Sequence, residues 1–557
     1  MQAVKIILLG APVPSGPTLL EKHDVASDGS LSTDALAASS ASETPEVAAD
    51  RFAAIDIGSN SVRIVIAQAE AGGYRVLDEE RENTRLASSL AETGALSQEA
   101  VESSITALKS FVTIARGYAV REVRAIATSA VRDASNGPDF CRRVSEEVGI
   151  EVVVISAHQE GRLSFLSVAR AFDVSDKPVA VADIGGGSTE IVLATEGIVE
   201  AVLTTRLGAV RVAERCGLAG MCDGPRLEAA ETFIDQELRR GAKKPPLVPA
   251  MLYGAGGTFT AMASMLAARE KSGEEASVRG YRANRADVRH LTADLAKLTL
   301  EERGKVAGLN PRRADIIVAG LLVIDRIMRH LKVNVVQVHT GGVRDGLLLT
   351  MIEAASAGGR PIAPDEREAA VERFAERCGV DLPHAKQVAW IARRLLAQLA
   401  VPLGLNETDT PLISAAAILA NVGYLINFDQ HHKHSYQLIR NSDLPGFERD
   451  ELRLVANIAR YHRGARPKQK HKPFAALSDE DQDRVAKLAA ILRVALALDR
   501  THQQQVQDLR VGVTENRVEI TVRTSGDAEM DLWAARRKVD LFERVSGRRV
   551  YFAAVGE

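Results

Sequence analysis

Cysteine is scarce in this 557-residue chain: Cys141, Cys216, Cys222 and Cys378 are all there is, with no CxxC pair among them. That excludes a disulfide framework, and the four read as reduced thiols of a cytoplasmic protein. Aromatic residues make up only 4% of the chain, and no aromatic platform or nucleic-acid fold motif accompanies its basic stretches, which argues against a nucleic-acid partner. No apolar run is long enough to span a membrane. Charge of one sign is missing too. A net charge of −3 gives no global attraction for polyanions, so any anion site must come from local clustering. Lys5 to Val13 is a short apolar start, too short for the core of a secretory signal. Asp24 to Asp50 is rich in Ser, Ala, Asp and Thr, and residues 1–50 read as a disordered leader. The remaining length is too great for one core and implies several domains.

What the chain does have is glycine placed at the ends of apolar runs. Pro178 to Ala182 reads as a buried strand. It leads into Asp183-Ile184-Gly185-Gly186-Gly187-Ser188-Thr189-Glu190. Glycines let backbone N–H groups approach an anion, the hydroxyls add donors, and the two carboxylates suit a hard cation. Phosphate with magnesium is the chemistry this suggests. A second copy strengthens the reading: Ala53-Ala54-Ile55-Asp56-Ile57-Gly58-Ser59-Asn60-Ser61 has the same plan. A repeated phosphate hairpin implies two related halves facing one ligand. Further glycine turns follow at Gly254-Ala255-Gly256-Gly257-Thr258 and at Gly341-Gly342-Val343-Arg344-Asp345-Gly346. These features resemble the sugar kinase/actin/Hsp70 superfamily.

Between the repeats, strand Val123–Ala127 runs into Thr128-Ser129-Ala130-Val131-Arg132, a helix start where an anion could sit. Helix capping by Thr128 or Ser129 would explain the same residues. Strand Glu151–Ile155 ends at Ser156 and enters a helix carrying Glu160, at the mouth of a strand-to-helix turn where active-site residues of open sheets gather. A glutamate favoured by the helix dipole is the plainer explanation. Arg206 follows a strand from Glu200 to Thr204 and could reach the cleft. The expected organisation is an α/β half over 51–175, a second over 176–355, an all-α domain over 365–500 and a small α+β unit over 505–557.

Taken in order, the Asp56 loop, Thr128 to Arg132, Ser156 to Arg162, the Asp183 loop and the two later glycine turns resemble the exopolyphosphatase/guanosine pentaphosphate phosphohydrolase family. The resemblance implies duplicated actin-like domains, followed by an HD-like helical domain and the small terminal unit. It implies Glu160 as the catalytic base that activates water. Where the family often has two adjacent acids, this chain has Gln159-Glu160. The resemblance also implies Asp183 and Glu190 at a magnesium site, with potassium as a further candidate ion. It places phosphate contacts at Asp56, Ser59, Asn60, Ser129, Arg132 and Gly185 to Thr189 (Gly185, Gly186, Gly187, Ser188, Thr189). Gly256, Arg206 and Arg344 are added as cleft candidates. Where HD phosphohydrolases carry His-Asp, this chain has Ala420-Asn421, so a di-metal centre is not expected there.

A basic stretch, with Lys433, His434, His462, Arg463, Arg466 and Lys468, reads as a track for a long polyanion, which gains from many such contacts. A solvated basic loop explains it equally well. Inorganic polyphosphate is therefore the first substrate expectation and pppGpp the second. A superfamily kinase and a non-catalytic sensor are the readings from other classes. The resemblance further implies a homodimer formed through the C-terminal region, and Leu541, Phe542, Val550, Tyr551 and Phe552 could serve that interface or a small core.

Overall fold

The computed structural model describes residues 50–556 apart from 71–72, 89, 242–244, 246, 271–277 and 357–362. The expected leader, save Asp50, lies outside the described residues.

Two sheets repeat one plan. In the first, β1 (Arg51–Ile57), β2 (Val62–Glu70) and β3 (Gly73–Glu82) form an antiparallel meander. β4 (Glu122–Ala127) and β5 (Val152–Val154) then add in parallel on the other side of β1, giving the order β3-β2-β1-β4-β5. In the second, β6 (Val179–Ile184), β7 (Thr189–Thr195) and β8 (Ile198–Thr205) make the meander, while β9 (Met251–Ala255) and β11 (Val335–Val338) add in parallel. A short β10 (Arg282–Asn284) extends the far edge. β1 and β6 are central and apolar on both faces, hence the near-continuous hydrophobic runs in their sequences. Each ends in the Asp-Ile-Gly signature at the same register: Asp56 lies opposite Arg63, and Asp183 opposite Glu190.

The halves exchange helices, which the boundary expected near residue 175 does not allow for. Helix Ala157–Ala171 comes from the first half, yet its Phe165 and Val168 pack with Val179, Val181 and Val192 of the second sheet. Helix Val343–Ser356 comes at the end of the second half, yet its Val343, Leu347, Leu348 and Met351 pack on Phe52, Ala54, Val65 and Ile126 of the first. The two helices touch where a Cβ on Gly346 would lie 2.1 Å from the Leu163 carbonyl oxygen. Only glycine permits that approach.

After the linker the chain is helical, from helix Pro364–Arg377 to helix Asp479–Ala497. Val388, Ile391, Leu395 and Leu399, spaced for one face of helix Leu382–Leu403, are all buried. The terminal unit consists of β12 (Val506–Val513), β13 (Arg517–Thr524), β14 (Arg549–Gly556) and two short helices. It is not a separate body. Val506, Leu509, Ile520, Leu532, Phe542 and Phe552 join the helical residues in one continuous core. Leu541 and Phe542 are thus core residues, whereas Tyr551 is exposed. Among the described residues no helix is long and apolar enough to cross a membrane.

Candidate active site

The two Asp-Ile-Gly hairpins close in the same way. Gly58 N–H donates to the Ser61 carbonyl at 3.1 Å and Gly185 N–H to the Ser188 carbonyl at 3.0 Å. Their tips meet. A Cβ on Gly187 would sit 2.8 Å from Ser129 Oγ and 3.0 Å from Ser59 Oγ, and those two hydroxyls are themselves 2.9 Å apart. Thr128 is the residue before helix Ser129–Asp133, but its side chain makes no capping bond. The Thr128-Ser129 pair is therefore turned to the cleft rather than used as a cap. Gly256, at φ +91°, closes the floor; a Cβ there would stand 2.7 Å from Asp183 Oδ1. These loops and the Gly341-Gly342 turn line a cavity of about 270 Å³ that also receives Asp56, Asn60, Glu160, Asp183, Gly185, Gly186 and Arg344.

Glu160 is 7% exposed and packs beside Gly161, whose missing side chain brings the helix against Val192, Val202 and the Glu190 Cβ. A glutamate held only by the helix dipole would face solvent; this one is buried. Its Oε2 accepts from Arg132 Nη1 at 3.4 Å, and Arg132 also donates to the Ile155 carbonyl at 2.8 Å. Burial pushes the Glu160 carboxyl up to about 8, with Arg132 opposing and Asp183 and Asp56 adding to the rise. Asp183 accepts from Ser164 Oγ at 2.5 Å and is raised by burial. Asp56 and Glu190 are raised by burial as well, Glu190 well above the usual range with the Glu160 and Asp183 charges contributing. Asp56 Oδ1 and both Glu190 carboxylate oxygens are buried with no hydrogen-bond partner. Orphaned carboxylate oxygens in a phosphate-sized cleft fit a hard divalent cation such as magnesium. Among the described residues no group of three or more His, Cys, Asp or Glu side chains is set to hold a metal by itself. One or two carboxylates, with water and substrate oxygens, would complete the shell, as magnesium prefers.

The same cavity is lined by arginines, of which only Arg344 belongs to a glycine turn. Arg63, Arg81 and Arg313 line the cavity beside Arg344. Burial lowers Arg63 to about 10, with Arg344 and Arg81 adding, and lowers Arg313 to about 9, with Arg81 and Arg63 adding. Each cation thus raises the cost of its neighbours. Arg344 is held by Glu79 at 2.6 Å and the Ile64 carbonyl at 3.3 Å. Arg81 Nε and Arg313 Nε are buried without partners. Crowded, under-neutralised cations lining a cleft suit an anion. Arg63 was within reach of the sequence, since it lies opposite Asp56 across the hairpin. Arg313 was not: it follows a short turn at Asn310-Pro311 and meets Gly257 only in the fold, where a Cβ would clash with its Nη1.

Not every expected site residue lands here. Arg132, Gly187, Ser188, Glu190 and Arg206 line an adjoining opening of about 510 Å³ that shares Ser129 with the main cavity. Thr189 is fully buried and its hydroxyl donates to the Leu207 carbonyl at 2.6 Å, so it braces the hairpin and is corrected from contact to support.

The basic track is part patch and part scaffold. Lys433, Arg463 and Lys468 are exposed. His471 is held low by burial, then by Arg460, Lys470, Lys468 and Lys433, so those cations converge. Arg466 is ion-paired with Asp540 at 2.6 Å. His462 is buried, donates from Nδ1 to the Ala459 carbonyl at 2.7 Å and is pushed down to about 3 by burial. It carries no charge to offer a polyanion. His434 is half-buried and also lowered by burial. The charged track reduces to the exposed lysines and arginines.

Comparison with known proteins gives the family. The Ppx/GppA phosphatase family matches residues 65–355, and the family's domain III matches residues 367–534. A crystal structure of the Aquifex aeolicus Ppx/GppA family member is 30% identical, covering 55% of this chain and 98% of its own, with a TM-score of 0.47. An exopolyphosphatase from Cytophaga hutchinsonii is 27% identical over 55% of this chain and 98% of its own, with a TM-score of 0.51. An exopolyphosphatase-like protein is 25% identical over 54% and 98%, also at 0.51. With the duplicated Asp-Ile-Gly hairpins, the buried glutamate between them and this match across both halves, the chain belongs to the Ppx/GppA phosphatase family.

Proposed function

We propose that this protein is a magnesium-dependent exopolyphosphatase that releases the terminal phosphate of inorganic polyphosphate through water activated by Glu160. The observation that carries this reading is the polarity of the cleft: the carboxylates Asp56, Glu160, Asp183 and Glu190 share one small cavity and its adjoining opening with the arginines Arg63, Arg81, Arg313 and Arg344. Phosphoryl transfer needs negative charge neutralised and a nucleophile held in line, and little covalent chemistry. The arginines would hold the anionic chain. The Ser59, Ser129 and glycine-loop donors would orient the terminal group. Glu160, 3.4 Å from Arg132, would take the proton from the attacking water. Asp183 and Glu190 would hold magnesium, which when bound supplies positive charge to the phosphate oxygens. Among the described residues no aromatic side chain lines the cavity, which favours a chain of phosphates over a stacked guanine base. Similarity to the exopolyphosphatase from Cytophaga hutchinsonii supports the same choice.

Exposed Lys433, Arg463 and Lys468 extend the reading to a chain longer than the cavity. The helical segment is read as an HD-like module without its metal dyad. Pairing of two chains through the C-terminal region is supported by exposed Met530, Trp533 and Tyr551.

The test is phosphate release with magnesium from long-chain polyphosphate and from pppGpp, wild type against Glu160→Gln. General-base assistance is worth about 100- to 10,000-fold, and the variant should lose that much while binding substrate. Release from pppGpp alone would replace polyphosphate with the nucleotide. Turnover retained in Glu160→Gln would remove Glu160 from its role.

A further inference from the structure

Residues 441–443 leave the end of helix His431–Asn441 and reach from the helical segment into both halves of the catalytic unit. Asn441 is 3% exposed. Its Oδ1 accepts from Nε2 of His158 at 2.7 Å, and its Nδ2 donates to the Glu200 carbonyl in β8 at 3.0 Å. The partners dictate the orientation, because a carbonyl can only accept: Nδ2 must face Glu200, so Oδ1 faces His158 and the imidazole carries its proton on Nε2. His158 Nδ1 is buried without a partner, which leaves the Asn441 contact as the ring's hydrogen bond. The next residue, Ser442, accepts at its carbonyl from Arg162 Nη1 at 3.1 Å, and Asp443 pairs with the same guanidinium.

His158 and Arg162 stand two residues before and two after Glu160. We infer that Asn441 is a positioning residue for Glu160, pinning the helix that carries it to β8 from outside the catalytic halves. The inference rests on the reading of Glu160 as the base. On its other side the helix is seated by Gly161 against the flat aliphatic surfaces of Val192 and Val202, and its other bonds, Arg132 to Glu160 and Ser164 to Asp183, lie within the catalytic halves. A displacement of about 1 Å in a catalytic group costs roughly 100-fold in rate. Asn441 supplies a directional bond from outside those halves, and its second bond, to β8, ties that placement to the strand beside Glu190.

The experiment uses the full chain and the variants Asn441→Ala, His158→Ala and His158→Gln. Hydrogen exchange is followed by mass spectrometry, alongside steady-state phosphate release. In Asn441→Ala and His158→Ala, peptides from helix Ala157–Ala171 should exchange about 3- to 10-fold faster, the factor expected for one lost buried hydrogen bond. Helices Leu382–Leu403 and Asp479–Ala497 should keep their protection. The kcat should fall about tenfold or more with KM nearly unchanged, as for loss of an arrangement needed at the transition state. His158→Gln, which keeps a donor for Asn441, should recover much of both. Unchanged exchange in the Glu160 helix overturns the inference, and so does faster exchange with unchanged kcat. Wild-type protein that releases no phosphate from polyphosphate or pppGpp would overturn the functional reading instead, and the exchange of helix Ala157–Ala171 would then decide on the pin alone.

Discussion

Replacing Glu160 with glutamine should make the metal-free protein more stable at pH 8 while leaving it nearly unchanged at pH 5. Glutamine has the shape of the protonated acid and no charge to bury. In the folded protein the Glu160 carboxyl sits at about 8 against an ordinary value of 4.5, chiefly because it is buried, with Arg132 as its one opposing cation and Asp183 and Asp56 as like charges. The folded pKa lies above the unfolded one, so the folded state holds this proton between those two values. The wild type therefore loses stability as pH climbs through that window. Each unit is worth about 1.4 kcal/mol, and the whole shift corresponds to roughly 4 kcal/mol by pH 8. Removing the carboxylate also relieves Glu190, whose own rise is fed by the Glu160 charge after burial. The assay is urea denaturation in a chelator at pH 5, 6, 7 and 8 for both proteins, reading the transition of the catalytic halves. The stability difference should grow from near zero to about 2–4 kcal/mol in favour of the variant, and magnesium added at pH 8 should narrow it by stabilising the wild type. A difference that stays flat with pH would refute the argument, because it would mean that Glu160 is hydrated or neutralised in the folded state.

Three further outcomes follow from the same structure. Arg313→Ala removes a buried cation whose Nε has no partner, so KM for polyphosphate should rise about 10- to 100-fold, as for a lost charge-assisted contact, with the denaturation midpoint unchanged or higher; a lower midpoint with KM intact would make Arg313 structural. Lys433→Ala combined with Arg463→Ala should weaken binding of long-chain polyphosphate and flatten the slope of log K against log salt by about 1.4–1.8, leaving tripolyphosphate hydrolysis alone; equal effects on both lengths would dissolve the track. Leu348→Ala, fully buried under the first sheet, should cost about 2–5 kcal/mol in urea melts, and a cost below about 0.5 kcal/mol, the range of a surface change, would contradict the helix exchange.

The hairpins were legible because their signal is local. An apolar strand, a carboxylate and a glycine turn fall within ten residues, and the same string occurs twice. Glu160 was legible as a position near a strand-to-helix turn, but its burial was not, because that depends on Gly161 fitting against Val192 and Val202 of the other half. The arginine lining was mostly invisible. Arg63 follows from hairpin register, whereas Arg313 and Arg81 meet only through the fold. The histidine-rich stretch misled in the opposite direction. Composition counts His462 and Arg466 as positive charge, but burial neutralises the first and Asp540 occupies the second. The exchange of the two helices was not legible, since a helix's sequence shows that it has an apolar face and not which sheet will receive it. Nor was the shared core of the terminal strands and the preceding helices.

The exchange of helices also sets a timetable for synthesis. The helix that covers one face of the β1 sheet, Val343–Ser356, is made roughly 300 residues after β1 itself. At about 5–20 residues per second that face, with Phe52, Ala54, Val65 and Ile126, stays uncovered for about 15–60 s. During that interval the nascent first half presents a bare apolar surface to every other chain in the cell. A chaperone that holds such surfaces has its moment there, and a ribosome stalled anywhere before residue 343 would release a polypeptide that cannot close its own core.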